Sequence, residues 1–81
     1  MPRIQRTHIP PALFQHLLTR IRERRIPASQ LQELAAWLDT EPEVPREPWF
    51  KRLAGMTVCG DGELVKTFLL PEQLPTGIEL R

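Results

Sequence analysis

The chain has 81 residues, 41% hydrophobic and 26% charged, with a net charge of +1. That balance excludes a disordered chain, the length allows one domain with a thin core, and the near-neutral total argues against a general nucleic-acid coat. Cys59 is the single cysteine, which excludes an intrachain disulfide, and no stretch approaches the roughly 20 consecutive apolar residues of a membrane span.

Residues 1–10 read as an extended arm closed by Pro10 and Pro11. The opening MPRIQRTHIPP lacks the apolar run of a signal peptide, so the cytosol is the expected location. From Ala12 the pattern turns helical, with Leu13, Phe14, Leu17, Leu18 and Ile21 at helix spacing. Pro11 suits the first turn, where an N–H would have no intrahelical acceptor. The helix is predicted to run to about Arg25, because Pro27 disfavours helical backbone at Ile26. A second helix carries Leu31, Leu34, Ala35 and Leu38 as one stripe, with Ser29 and Gln32 spaced as a capping box. These two helices make a pair over residues 11–39.

The connector, residues 40–48, lies in DTEPEVPREP, whose prolines exclude a helix and leave at most a short edge strand around Val44. Apolar density returns over residues 49–70. There, Gly60-Asp61-Gly62 signals a hairpin with strands at about 54–59 and 63–70 and a type I′ turn at Asp61-Gly62. The tail, 71–81, is broken by prolines and offers Ile78 and Leu80 as anchors or as an extra edge strand. The expected architecture is a single α+β domain in which two N-terminal helices pack on a small antiparallel sheet.

Charge is unevenly spread. Residues 1–26 hold six arginines against Glu23 alone, whereas residues 27–50 are acidic. Two readings follow: the guanidinium groups hold an anionic partner such as RNA, or the basic front packs on the acidic middle within the fold or in a dimer. His16, Arg20 and Arg24 run up one edge of the first helix at i, i+4 and i+8. Arg24 falls just inside the apolar arc, so its stem should be covered and its guanidinium should emerge where helix meets sheet. Histidine is the side-chain type suited to proton transfer near neutral pH, so His16 is the candidate general acid or base, with Arg20 and Arg24 as phosphate-binding groups. That is the equipment of metal-independent RNA cleavage, in which the substrate's own 2′-hydroxyl attacks. The alternative is a solvated His16 and arginines paired with Asp39, Glu41 or Glu43.

The stretch HLLTRIRERRIPASQL, residues 16–31, resembles the opening of small toxin-like domains whose first helix reads His-x3-Arg-x3-Arg-Gly-Ile. Those domains are grouped with the barnase, colicin and RelE-type ribonuclease fold. His16, Arg20, Arg24, Ile26, Gln30 and Leu31 carry the match, while Arg25 stands in place of the glycine and Pro27 in place of a capping serine. The resemblance implies helices followed by an antiparallel sheet, RNA as substrate, and a basic and a hydroxyl residue from the sheet, here Lys66 and Thr67, completing the site. A regular strand sends Lys66 and Thr67 to opposite faces, so both can serve one site only across a bulge or at a strand end.

His8, His16 and Cys59 lack metal-ligand spacing, so no metal is expected, and no cofactor motif is present. Trp37, Trp49 and Phe50 are candidate core or interface anchors. Two functions therefore stand side by side. One is an RNA-binding, RNA-cleaving toxin-like domain; the other is a non-catalytic module that binds another protein or itself through its tryptophans, its connector or an open sheet edge.

Overall fold

The computed structural model describes residues 2–81. A short 3-10 turn at Arg6–His8 precedes α1 (Pro11–Arg22) and α2 (Ser29–Asp39). Four strands follow, β1 (Pro48–Arg52), β2 (Thr57–Asp61), β3 (Leu64–Leu69) and β4 (Ile78–Leu80). They form one sheet in the order β3-β2-β1-β4. Leu17 of α1 and Leu34 and Leu38 of α2 join Trp49, Val58, Val65 and Phe68 in one buried cluster, so both helices lie on one face of the sheet. The architecture is α+β.

The sheet is mixed rather than antiparallel. β4 pairs with β1 in parallel, Trp49 beside Ile78 and Lys51 beside Leu80. Residues 70–77 carry the chain from one edge of the sheet to the other. Gly77 makes the re-entry feasible: its φ is +107°, and a Cβ there would stand 2.5 Å from the Pro48 carbonyl oxygen. The expected single strand at 54–59 is also revised. β1 and β2 are separate antiparallel strands, joined by a tight loop at residues 53–56 in which the Leu53 N–H donates to the Met56 carbonyl (2.8 Å).

The β2–β3 register departs from expectation as well. Asp61 pairs with Leu64, so the turn residues are Gly62 and Glu63. Only Gly62 has a positive φ, +59°, the pattern of a type II′ turn rather than type I′. The ladder then slips: Gly60 faces Val65 but Cys59 faces Thr67, which leaves Lys66 as the extra residue of a β-bulge. Because of the slip, Val65 and Phe68 both reach the core although three residues apart.

α1 starts with Pro11 at its first position and stops at Arg22, three residues short of the predicted end. The Arg25 N–H donates to the Arg20 carbonyl (2.9 Å) and the Arg24 N–H to the Ile21 carbonyl (3.0 Å). This is a Schellman ending with Arg24 in the left-handed position at φ +60°. A non-glycine residue there is strained by about 1 kcal/mol. Arg24→Gly is accordingly expected to raise stability by about 0.5–1 kcal/mol, read as a higher urea midpoint; a lower midpoint would show that the arginine side chain supplies more than the strain removes.

α2 begins without a side-chain cap. Its N-cap is Ala28, and the Ser29–Gln32 box is not made. Gln30 instead turns inward, 2% exposed. Its Oε1 accepts from the Gly55 N–H (2.9 Å), and the neighbouring Glu33 accepts from the Ala54 N–H (2.9 Å). The start of α2 therefore clamps the β1–β2 loop.

The arm and the connector are paired. Ile4 is fully buried, its N–H donating to the Pro42 carbonyl (3.1 Å), while the Val44 N–H donates to Pro2 (2.8 Å). The edge strand expected around Val44 reduces to a single bridge between Arg3 and Glu43.

Candidate functional site

The acidic stretch from the end of α2 into the connector engages part of the basic front. Arg6 makes two bonds to the Asp39 carboxylate, 2.8 and 2.6 Å, and Arg3 meets Glu43 at 3.0 Å. The hydrogen bonds from Arg6 hold the Asp39 carboxyl below its usual range. Glu41 accepts from the Gln5 amide at 2.7 Å. The arginines of α1 and its C-terminal turn stand outside this arrangement. Among the described residues Arg22, Arg24 and Arg25 form no ion pair and are exposed.

The expected stripe of His16, Arg20 and Arg24 is broken, because Arg24 lies beyond the helix end. His16 is exposed on α1. The guanidinium that emerges between helix and sheet belongs to Arg20, not Arg24: it is half-buried and donates to the Phe68 carbonyl of β3. That bond occupies a carbonyl on an edge strand, where unpaired backbone invites another chain. Arg20 thus has a structural partner, yet its remaining N–H groups stay available.

Lys66 and Thr67 are brought together by the bulge. Both line one depression of about 420 Å3 with Cys59, Asp61, Leu69 and the crossing segment Leu74 to Thr76. Thr67 pairs with Cys59, whereas Phe68, which lies under α1, pairs with Val58 on the other face. His16 and Arg20 do not line the depression. The sheet pair and the helix pair therefore occupy opposite sides of the sheet. Cys59, in the same depression, has its thiol pKa raised by burial, which keeps it protonated and poorly nucleophilic.

The aromatic residues serve the core. Trp49 is fully buried; its indole N–H donates to the Gly62 carbonyl (2.9 Å), and Trp37 stands edge-on to it at 5.9 Å. Phe50 is buried on the second face with the Arg52 guanidinium 5.4 Å above its ring. Trp49 and Phe50 are thus buried within the fold, the core alternative of the sequence reading, and Trp37 is half-buried.

One feature escaped the sequence pattern. α1 packs on β3 and α2 on the 3-10 turn. Between them lies an apolar cavity of about 560 Å3, walled by Ile9, Pro11, Phe14, Leu31, Ala35 and Leu38. Phe14 stands at its wall 38% exposed. Periodicity assigns Phe14 to the core stripe, and only the spread of the two helices reveals otherwise.

Among the described residues no group of three or more His, Cys, Asp or Glu side chains is placed to hold a metal ion, and no helix is long and apolar enough to cross a membrane. The His8 Nδ1 accepts from the Gln5 N–H at 2.8 Å. Comparison with family models, with curated proteins and with solved structures finds no match.

Proposed function

We propose that this chain is an RNA-binding domain that grips phosphates with the arginines at the end of α1 and does not cleave the strand it holds. The observation that carries this reading is the division among the arginines. Among the described residues Arg3 pairs with Glu43 of the connector and Arg6 with Asp39 at the end of α2, while Arg22, Arg24 and Arg25 form no ion pair and Arg20 donates to a carbonyl. A planar guanidinium offers two parallel donors to a phosphate, and several at one end of a helix can track successive phosphates. The choice of RNA rests on the resemblance of residues 16–31 to the toxin-like ribonucleases. The absence of cleavage rests on geometry: an acid and a base must flank one phosphodiester, and His16 is separated by the sheet from Lys66 and Thr67.

Fluorescence anisotropy with a short single-stranded RNA tests the binding. With three phosphates engaged, the logarithm of affinity should fall with the logarithm of salt at a slope of about −2. A variant carrying Arg22→Gln, Arg24→Gln and Arg25→Gln should bind at least about tenfold more weakly; unchanged affinity would remove the proposal. Single-stranded DNA of the same length is the control for the choice of RNA, and equal binding to both would reduce the site to a general phosphate grip. The RNA should remain intact on a gel. Cleavage by the parent that disappears in His16→Ala would overturn the non-catalytic part and restore His16 as acid or base.

A further inference from the structure

The depression on the second face of the sheet is built from three parts that sequence order keeps separate. The bulge supplies Lys66 and Thr67 side by side, the end of β2 supplies Asp61, and the segment crossing from β3 to β4 supplies Leu74, Pro75 and Thr76. Bulges recur beside binding sites because the extra residue re-aims a side chain that regular alternation would send elsewhere. Without this slip in register, Lys66 would share the Phe68 face and meet the core; with it, Lys66 is exposed at the depression.

The charged groups come as a pair of opposite sign that is not joined. Lys66 and Asp61 both line the depression, and among the described residues neither takes part in an ion pair. Thr67 and Thr76 add hydroxyl groups that both donate and accept. The rest of the wall is apolar, formed by Pro48, Leu69, Leu74 and Pro75. Leu74 is 88% exposed, more than any other large apolar side chain among the described residues. An ammonium and a carboxylate on the protein call for the reverse pair on the ligand, and the apolar wall calls for a short hydrocarbon group attached to it.

We propose that this depression binds a small zwitterion with an apolar side chain, the chemistry of a free aliphatic α-amino acid, its carboxylate meeting Lys66, its ammonium meeting Asp61 and its side chain covering Leu74. A purely anionic ligand would meet the Asp61 carboxylate, and a purely cationic one would meet Lys66, so each fits half the site. The hydrocarbon group would bury Leu74 and gain its hydrophobic free energy. Cys59, with a neutral thiol, adds bulk to the floor without charge. None of the α1 arginines lines this depression, so the inference stands or falls independently of RNA binding.

Two-dimensional NMR titration of the intact chain with L-leucine tests it, with 3-methylbutan-1-amine and 4-methylpentanoate as probes that each lack one charge. Leucine should shift the amide signals of Asp61, Lys66, Thr67 and Leu74 in a saturable way, and each single-charge probe should bind at least about tenfold more weakly. Lys66→Met should remove the preference for leucine over the amine, and Asp61→Asn the preference for leucine over the acid. Both substitutions are at exposed positions, and an unchanged thermal midpoint shows that each variant is folded. Absence of shifts at these amides, or equal leucine binding by parent and both variants, would overturn the proposal.

Discussion

Gly60→Ala is expected to lower folding stability by about 3 kcal/mol, the upper part of the range for an overfilled core. Gly60 faces Trp49 across the β1–β2 ladder, and the indole fills the space where a Cβ would stand. A Cβ built at Gly60 would stand 2.6 Å from the indole Cε2, closer still to Cζ2, and 2.8 Å from the Leu64 carbonyl oxygen. Neither neighbour can yield easily. The ring is buried and its N–H is committed to Gly62, and the carbonyl is part of the adjoining strand. A domain of this size holds only about 4–12 kcal/mol in total, and each kcal/mol moves its melting midpoint by about 4–8 °C. Gly62→Ala makes the useful contrast. Its φ of +59° is strained for alanine, but nothing lies within 4 Å of the added carbon, so it should cost only about 1–2 kcal/mol. In a Trp49→Leu background the additional cost of Gly60→Ala should shrink, because the ring it strikes is gone. Strict additivity of the two substitutions in urea denaturation would show that the ring is not what excludes a side chain at position 60.

Gln30→Glu should be the second costly change, and its cost should depend on pH. The Gln30 amide is buried with its oxygen on the Gly55 N–H and its nitrogen 3.3 Å from the Glu33 carboxylate. A carboxylate in its place keeps the acceptor but turns the contact with Glu33 into repulsion in a desolvated site, at about 2 kcal/mol or more near neutrality. Burial and the Glu33 charge both raise the pKa of the introduced group in the folded state above its unfolded value. The folded state then binds the proton more readily, so the penalty is complete above the raised pKa and diminishes as the pH falls through it toward the unfolded value. Gln30→Leu should cost about 1–3 kcal/mol by stranding the Gly55 N–H, without that recovery on acidification. Urea midpoints at pH 7 and pH 5 separate the cases. A Gln30→Glu midpoint that tracks the Gln30→Leu midpoint at both pH values would mean that the introduced group never carries charge against Glu33.

The helices were legible because their apolar residues recur with the helical period, and Leu17, Leu34 and Leu38 are buried as that spacing requires. Their ends were less so. α1 stops three residues early because Arg24 takes a left-handed conformation that nothing in its side chain announces. The hairpin was visible in Gly60-Asp61-Gly62, but the register was not, since it depends on Gly60 lying under Trp49, and that relation exists only once β1 is recognised as a separate strand. Charge asymmetry pointed to Asp39 and Glu43 as partners for arginines, and they do pair, but with Arg3 and Arg6 of the arm rather than with Arg20 or Arg24 of the helix. For the site, adjacency in the sequence placed Lys66 and Thr67 on opposite faces. The bulge that unites them is set by how Val65 and Phe68 are both drawn into the core, a tertiary demand with no local signature.

The pairing of the arm with the connector and of β4 with β1 also bears on the order of assembly. Ile4 finds its backbone partner at Pro42, and β4 joins β1 only after the chain has traversed β2 and β3. Both closures join segments far apart along the chain, and distant closures delay folding because ordering entropy is lost before contacts return it. β1 would wait longest. It can pair with β2 as soon as the 53–56 loop forms, but its other side stays open until residues 78–80 arrive. During that interval the growing chain would carry an unprotected sheet edge beside Trp49, making the nascent form more adhesive than the finished one.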